Sequence, residues 1–544
     1  MLLGGHSGGT APIREPASNR IRVGMLGFPL SNLFFLGFDE YSEAVSYLVL
    51  EPLVRLSLTN LEPEPALAQS FAKNALHTEF DFELDPHAHF SDGTPVTAED
   101  VLFTWDSIHK PENRTQAFAS LFSSIRSCQV ISAHKVRFFA DKPVADGFAL
   151  FESFLILPKR HFSNKVFHRD FNESYIGSGP YIFDKVEWGK SISLKANPNY
   201  WARKRADKQS RFLIQRVEFQ IQTEPALLNE MLLKDEIDYL YYLSAKSWAK
   251  DTIGPLFSEH QINKMEVKNQ NPFAVAGIAW NMRKPLFSDP KVRKALGLLF
   301  DRQRLIKDLF YDQYQLSAGI APIRSEYHHP DNNPLPYDPQ AAVQLLFQAG
   351  WKKNSHGVLE KGDTPFTFEI LTGNPPAAKH LAIYQEDLKK VGIQASIRIV
   401  DWSSYLRLRS QGNFDALDFS RNRNFQMNDL ETTWHSSGSK DPSGNITGFS
   451  DPAVDSLLEQ LRRPLPQKKK SEVIRRLDKL ISEAYPIAFS WEPTSTRIAY
   501  WNRYSFKKPG YLPFSRWINV FHFWKWAPKD MPSSPLLPGG NGKS

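Results

Sequence analysis

Apolar and polar positions along this chain fall into short blocks of two periods. Residues 21–26 form an apolar strand candidate that ends at Gly27-Phe28-Pro29, and helical spacing follows around residues 42–50. Phe80-Asp81-Phe82-Glu83-Leu84 alternates with the period of two of a half-buried strand. The turn cluster Ser91-Asp92-Gly93-Thr94-Pro95 leads to Thr97, which starts a helix with Asp100 three residues on as its capping-box partner. Val101, Leu102, Trp105 and Ile108 give that helix one apolar face.

Further along, Asp289-Pro290 and Asp338-Pro339 each read as an N-cap followed by proline at the first helical position. Val292, Ala295, Leu296 and Leu299 form the buried stripe of the first of these helices, and Gly350 ends the second. The pattern then predicts strand at 366–371, helix at 377–391 closed by Gly392, strand at 393–400, helix at 402–411 and strand at 414–419. This alternation predicts parallel strands with right-handed crossovers. Such sheets take ligands beyond the carboxyl ends of their strands. A last amphipathic helix, 472–484, stops before Pro486, and strand returns at 487–491. No internal repeat is visible.

The 544 residues suggest about three to four structural units at about 150 residues each. A 41% hydrophobic and 23% charged composition is that of a globular chain and excludes a disordered one. Cys128 is the single cysteine, so no intrachain disulfide framework exists. No apolar run approaches the ~18 residues of a membrane-spanning helix. The net charge of +7 is mild, and clusters such as Lys468-Lys469-Lys470 and Arg203-Lys204-Arg205 are followed closely by acids. They read as solvated helix faces, and no nucleic-acid partner is expected. Residues 1–20 and 528–544, rich in Gly, Ser and Pro, are expected to form a disordered arm and a flexible tail, and Met1-Leu2-Leu3 is too short for the apolar core of a secretory signal. Aromatic residues reach 13%, with 39 Phe, 18 Tyr and 13 Trp. Most are expected to fill three cores and a minority to line a cleft.

Catalytic signatures are weak. Gly5-His6-Ser7-Gly8-Gly9 matches G-x-S-x-G, but no strand precedes it and Thr-Ala-Pro follows, so it cannot be a nucleophile elbow. There is no HExxH, no Walker A loop and no G-x-G-x-x-G. His328-His329 are adjacent in a Pro/Asn-rich loop and read as a surface pair rather than metal ligands. Cys128, in a strand-like stretch, reads as a buried small side chain. We therefore expect no enzyme, no cofactor and no metal.

Several motifs, in order, resemble the family 5 extracellular solute-binding proteins of ABC importers, the oligopeptide- and dipeptide-binding type. They are Glu51-Pro52-Leu53, Pro65-Ala66-Leu67-Ala68, Phe90-Ser91-Asp92-Gly93-Thr94-Pro95-Val96-Thr97-Ala98-Glu99-Asp100-Val101 and Gly177-Ser178-Gly179-Pro180-Tyr181. Asn197-Pro198-Asn199-Tyr200-Trp201, Trp280-Asn281 with Pro285-Leu286-Phe287-Ser288-Asp289-Pro290, and Asn445-Ile446-Thr447-Gly448-Phe449-Ser450-Asp451-Pro452 follow. Ser244-Ala245-Lys246-Ser247-Trp248 and Tyr500-Trp501-Asn502-Arg503-Tyr504 resemble a subgroup for microcin C-type and peptidoglycan-derived peptides.

The resemblance implies an α/β, two-lobed periplasmic-binding-protein-like fold of class II type with an additional α+β domain inserted in lobe I. Lobe I would comprise 21–45, 177–262 and 485–527, the inserted domain 46–176, and lobe II 263–484. It also implies a monomer in the bacterial periplasm that captures a peptide or peptide-like ligand by hinge closure and delivers it to an ABC permease. A peptide-processing hydrolase and a sensor or regulator on the same fold are the alternatives. In peptide-binding relatives, the strand resembling residues 414–419 is followed by tryptophan and an aspartate that pairs with the peptide amino terminus. Here the place reads Ser420-Arg421-Asn422-Arg423-Asn424. Arg421, Arg423 and Asn424 are therefore candidates for an anionic ligand group, which guanidinium binds as a fork. Trp402, Trp434 and Phe28 are candidate pocket walls, and Asn281 and Ser178 are candidates from their places in the motifs.

Overall fold

The computed structural model describes residues 19–527 except 38, 145–146, 168–173, 206–209, 243, 269, 271–274, 422–429 and 464. The chain opens with β1 (Arg20–Leu26) and α1 (Glu40–Val49). Four strands follow: β2 (Ala68–Lys73), β3 (Glu79–Leu84), β4 (Ile125–Ser132) and β5 (Lys135–Ala140), with α2 (Ala98–His109) after β3. Then come β6 (Tyr181–Glu187), β7 (Ser191–Ala196), β8 (Arg216–Gln222), β9 (Tyr239–Tyr241) and β10 (Ile262–Val267). The next stretch holds β11 (Val275–Trp280), α3 (Pro290–Leu298), β12 (Tyr314–Leu316), α4 (Pro339–Gln348), β13 (Thr367–Thr372), α5 (Ala378–Lys390), β14 (Gln394–Ile399), α6 (Trp402–Ser410) and β15 (Ala416–Arg421). After α7 (Gln467–Glu483), the chain ends its regular course with β16 (Ile487–Phe489), β17 (Trp491–Pro493) and β18 (Thr496–Trp501).

Sixteen of these strands build two mixed sheets and a separate antiparallel one, while β12 and β17 pair with each other. The first sheet has the order β10-β18-β9-β1-β8-β7-β6, the second β14-β13-β15-β11-β16, and the third β2-β3-β5-β4. The strand–helix–strand alternation around α5 and α6 yields the expected parallel trio β14-β13-β15, and β11 joins it antiparallel beside β15. The helix starts follow the caps. Thr97 and Asp100 form the capping box of α2, and the side chains of Asp289 and Asp338 accept from backbone amides at the starts of α3 and α4.

Five expectations need correction. The border placed between 262 and 263 falls inside β10, which pairs with β18 in the first sheet from Ile262 to Val267. The strand predicted at 487–491 divides into β16 and β17, and β16 pairs with β11 in the second sheet. The chain therefore returns to the first sheet at Thr496, not at 485. The border placed between 45 and 46 falls inside α1, whose hydrogen-bond ladder runs unbroken from Glu40 to Val49. Asn19 and Arg20, assigned to the arm, belong to the fold: Asn19 donates to the Leu213 carbonyl at 3.1 Å and Arg20 opens β1. Finally, the third sheet has no core of its own. Val23, Val45, Phe82, Phe138 and Val217 belong to one continuous buried cluster that joins it to the first sheet, while the second sheet is covered by separate clusters around Leu296 and Leu477. Residues 1–18 and 528–544 lie outside the described residues.

The sequence motifs meet as structural joints. Glu51, fully buried, accepts from the Tyr200 hydroxyl at 2.7 Å and the Trp201 indole at 2.8 Å, locking two distant motifs together. Asn197 donates to the Gly179 carbonyl at 3.1 Å. At Gly177 a Cβ would stand 2.0 Å from the Val49 carbonyl oxygen, so only glycine lets this segment pass across the end of α1.

Candidate ligand cleft

Topology alone locates a cleft. In the first sheet β1 runs parallel to both β8 and β9, so Leu26, Gln222 and Tyr241 end on one edge. Val267 pairs with Thr496, and Tyr241 with Ile498, at that same edge. In the second sheet Thr372, Ile399 and Arg421 end the parallel trio on one edge, where Val275 pairs with Arg421 and Gly277 with Phe489. The two connections between the sheets, Val267 to Val275 and Pro493 to Thr496, therefore run from carboxyl-end edge to carboxyl-end edge. Both edges border the same gap, which is where an open α/β sheet binds ligands.

On the first edge, Tyr241 at the end of β9 stacks on Trp517, with ring centroids 5.6 Å apart and planes 11° apart. Tyr41, in the first turn of α1, meets the Trp517 ring at 6.1 Å and 60°. Trp517 donates its indole N–H to Glu40 Oε2 at 3.0 Å. Burial, and then the Glu40 carboxylate, hold the hydroxyls of Tyr241 and Tyr41 well above the usual phenol range, so both stay neutral donors. Phe28 (39% exposed) and Trp188 (47% exposed) extend this edge, with the Phe28 ring over Gly189. From the second sheet's side, Tyr314 on β12 lies under the Arg497 guanidinium of β18, 5.4 Å from its centroid, beside the connection Pro493 to Thr496.

On the second edge, Asp401 caps α6 through the Ser404 amide, and Trp402, 58% exposed, stacks on Tyr405 at 5.2 Å and 15°. Gly373 makes room for this pair, since a Cβ there would lie 2.8 Å from the Tyr405 ring and 3.0 Å from that of Trp402. Asp418 of β15 accepts from the Thr372 hydroxyl at 2.8 Å and lies 3.8 Å from His380 Nε2, whose ring meets Trp491 edge-on at 5.3 Å.

The structure separates the sequence candidates. Phe28 and Trp402 stand exposed on opposite edges of the gap. Arg421 ends β15 on the second edge, while Arg423 and Asn424 lie outside the described residues. Three expectations are corrected by burial. Trp434, 4% exposed, packs edge-on to Phe449 in the core. Asn281, 2% exposed, donates its amide to the carbonyls of Gly412 and Phe414. Ser178 is fully buried beneath the end of α1. His328-His329 is not a surface pair either: His328 Nδ1 lies 3.4 Å from the fully buried Asp478, which accepts from the His329 amide. Cys128 is half-buried, and burial pushes its thiol well above the ordinary range, so it is no reactive thiolate. Glu40, Tyr241, Tyr314 and Trp517 escaped the sequence reading; the only local signal was that Tyr241 sits in the apolar run 239–243.

Comparison with known proteins agrees with this geometry. Residues 62–443, more than half of the chain, match the family described as bacterial extracellular solute-binding proteins, family 5. A Brucella suis protein designated a binding protein is 26% identical over 480 residues, covering 80% of this chain and 77% of its own. Among solved structures, the oligopeptide-binding protein AppA of Bacillus subtilis, in complex with a nonapeptide, superposes with a TM-score of 0.72 at 22% identity, covering 94% of this chain and 99% of AppA. NikA of Brucella suis, in complex with Fe(III)-EDTA, superposes with a TM-score of 0.77 at 19% identity, covering 94% and 100%. The fold is thus the mixed α/β fold of the periplasmic binding proteins, carrying an extra antiparallel sheet. This chain belongs to the bacterial extracellular solute-binding proteins of family 5.

Proposed function

We propose that the chain captures a peptide or peptide-like solute between its two large sheets and delivers it to an ABC permease, working as a monomer in the periplasm. Proteins of this family are binding proteins of ABC transport, not enzymes. The observation that carries the peptide reading is the pairing of the two carboxyl-end edges across two short connections, with aromatic rings exposed on both. A gap bordered by two strand-end edges suits an extended ligand, whose backbone pairs with the protein while its side chains meet the rings. Phe28 and Trp402 would wall the gap from opposite sides.

In this reading Arg421, Arg423 and Asn424 receive an anionic group, because Arg421 ends β15 at the second edge. The resemblance to the microcin C and peptidoglycan-peptide subgroup fits such a ligand. No cofactor or metal takes part. A metal chelate, the ligand class of the NikA complex, is the outcome to distinguish.

Native mass spectrometry of the purified chain after exposure to a tryptic peptide mixture tests the reading. A discrete adduct with the mass of a short peptide, unchanged on longer incubation, is expected. New peptide fragments, or an adduct with a metal isotope pattern, would overturn it. Titration calorimetry with the retained peptide should show at least a tenfold affinity loss in the Arg421→Ala/Arg423→Ala double variant; unchanged affinity removes the anion assignment.

A further inference from the structure

The net charge of +7 is concentrated in one place. Residues 462–479 hold eight Lys or Arg against two acids, Glu472 and Asp478, a net +6 in 18 residues, so the other 526 residues carry a net +1. Asp478 is fully buried and accepts from the Ala321 and His329 amides and the Asn332 side chain, so it faces the core. The segment comprises the turn before α7 and most of that helix. Val473, Ile474, Leu477 and Ile481 bury one face of α7 over the second sheet, which leaves the cations on the other.

Local acids neutralise the two ends of this row. Arg462 pairs with Glu431 at 2.7 Å, and Lys479 with Asp331 at 3.0 Å. Arg475 donates to the Glu326 carbonyl at 2.6 Å. Between them Arg463, Lys468, Lys469 and Arg476 are exposed and, among the described residues, make no ion pair. Glu472, also exposed, lies one turn from Lys468, Lys469 and Arg476, so these four cations keep a net +3.

Two features point to the partner. Among the described residues from 462 to 483 no large apolar side chain is exposed, whereas a protein partner is held chiefly by apolar and aromatic anchors. From Lys468 to Arg476 the helix advances about 12 Å, so the row meets several anions at once rather than one phosphate group. Attraction of this kind adds over the cations and needs no fixed geometry, which suits a layer of charged lipid headgroups. The row also adjoins the join between the lobes. Arg324, two residues before Glu326, donates to the Thr494 carbonyl at 2.7 Å in the connection Pro493 to Thr496.

We propose that Arg463, Lys468, Lys469 and Arg476 form a docking surface for anionic phospholipid headgroups, by which the second lobe rests on a membrane. The attachment is electrostatic and reversible, because the apolar face of α7 is already used in the core and nothing inserts. None of the four residues belongs to the cleft, so docking does not depend on the solute.

The test sediments the whole chain with vesicles of phosphatidylcholine alone and of phosphatidylcholine with one-third phosphatidylglycerol. It is run at low salt and again at about 1 M salt, where the screening length falls to about 3 Å. Wild type should bind the anionic vesicles at least tenfold more than the neutral ones, and lose this at high salt. The variant Arg463→Gln/Lys468→Gln/Lys469→Gln/Arg476→Gln should lose at least tenfold, since each cation near an anionic surface contributes about fivefold. Lys110→Gln/Lys142→Gln/Lys307→Gln/Lys352→Gln removes the same charge from exposed sites elsewhere and should change binding less than threefold. Melting temperatures verify that both variants are folded. Equal binding of wild type to the two vesicle types, retained binding in the first variant, or an equal loss in the second overturns the proposal. So does tighter binding to polyglutamate or duplex DNA than to the anionic vesicles, which gives the face to another polyanion. The peptide reading stands under each of these outcomes.

Discussion

Two aromatic clusters in this molecule are built from different residues for different ends. Beneath the third sheet, Phe82, Phe122, Phe138, Phe151 and Phe154 are fully buried and pack around Trp105; Phe138 and Phe151 lie 4.6 Å apart, and Phe82 and Phe151 4.7 Å. At the first edge of the cleft, Tyr41, Tyr241 and Trp517 gather around a carboxylate. Phenylalanine has no polar handle and loses nothing on complete burial. Tyrosine and tryptophan carry a polar end that stays wet or hydrogen-bonded, so they also suit the partly buried edge of a cleft. The high aromatic share of the chain therefore serves both a phenylalanine-rich core and the cleft edge, while Trp280, Trp524, Tyr239 and Tyr384 are fully buried as well.

The largest expected effect is on the buried side. Phe138→Ala should destabilise the fold by about 3–5 kcal/mol in urea or thermal unfolding, from lost burial and the cavity left behind. A loss below about 1 kcal/mol would mean that the cluster is loosely packed and the contrast is wrong. Next comes Tyr241→Ala, which should weaken binding of the retained peptide by about 2 kcal/mol, roughly thirtyfold, as a central aromatic contact does. An equal loss of folding stability with intact binding would move Tyr241 into the same class as Phe138.

A third test asks what a charge does among packed rings. His522 lies between Phe212 and Phe521, each ring centroid 5.0 Å away, and its buried Nε2 has no hydrogen-bond partner among the described residues. Burial, with the nearby charges of Arg55 and Arg211, pushes its pKa down to about 3. An unfolded histidine takes its proton near pH 6.5. Between these values the unfolded chain binds the extra proton, so stability rises with pH and falls as the solution is acidified from about 6.5 towards 3. The drop in melting temperature from pH 7.5 to pH 5 should be smaller in His522→Asn than in wild type; equal drops refute the assignment. The smallest effect belongs to Trp402→Ala. With more than half of its surface exposed, it should change folding stability by no more than about 0.5 kcal/mol, while weakening peptide binding. A large stability loss would place Trp402 with the core rings.

Much of the fold was legible from short-range chemistry. Thr97 with Asp100, Asp289-Pro290 and Asp338-Pro339 start helices because caps and proline act within one turn. The alternation at Phe80–Leu84 shows because one face of its sheet is buried. The long motifs were also legible, but as joints: Glu51 with Tyr200 and Trp201, and Asn281 with the Gly412 and Phe414 carbonyls, hold backbone together. Candidates drawn from motif places, Asn281 and Ser178, are buried, since a motif marks constraint and not exposure, and Trp434, picked as a pocket wall, packs in the core. Phe28 and Trp402, picked as aromatic residues just past strand ends, stand exposed at the two edges.

The sequence by itself determined the helix starts, the parallel trio of the second sheet, the family resemblance and the absence of a disulfide framework, all of which depend on neighbours within a few residues or on composition. Tertiary structure alone decided that the third sheet shares a core with the first, that β16 belongs to the second sheet, and that Glu40, Tyr241 and Trp517 meet. Those residues come from distant parts of the chain. What joins them is the pairing of β1 with β9 and the hydrogen bonds of Trp517 to Tyr239 and Glu40, which no local pattern of hydrophobic and polar positions encodes.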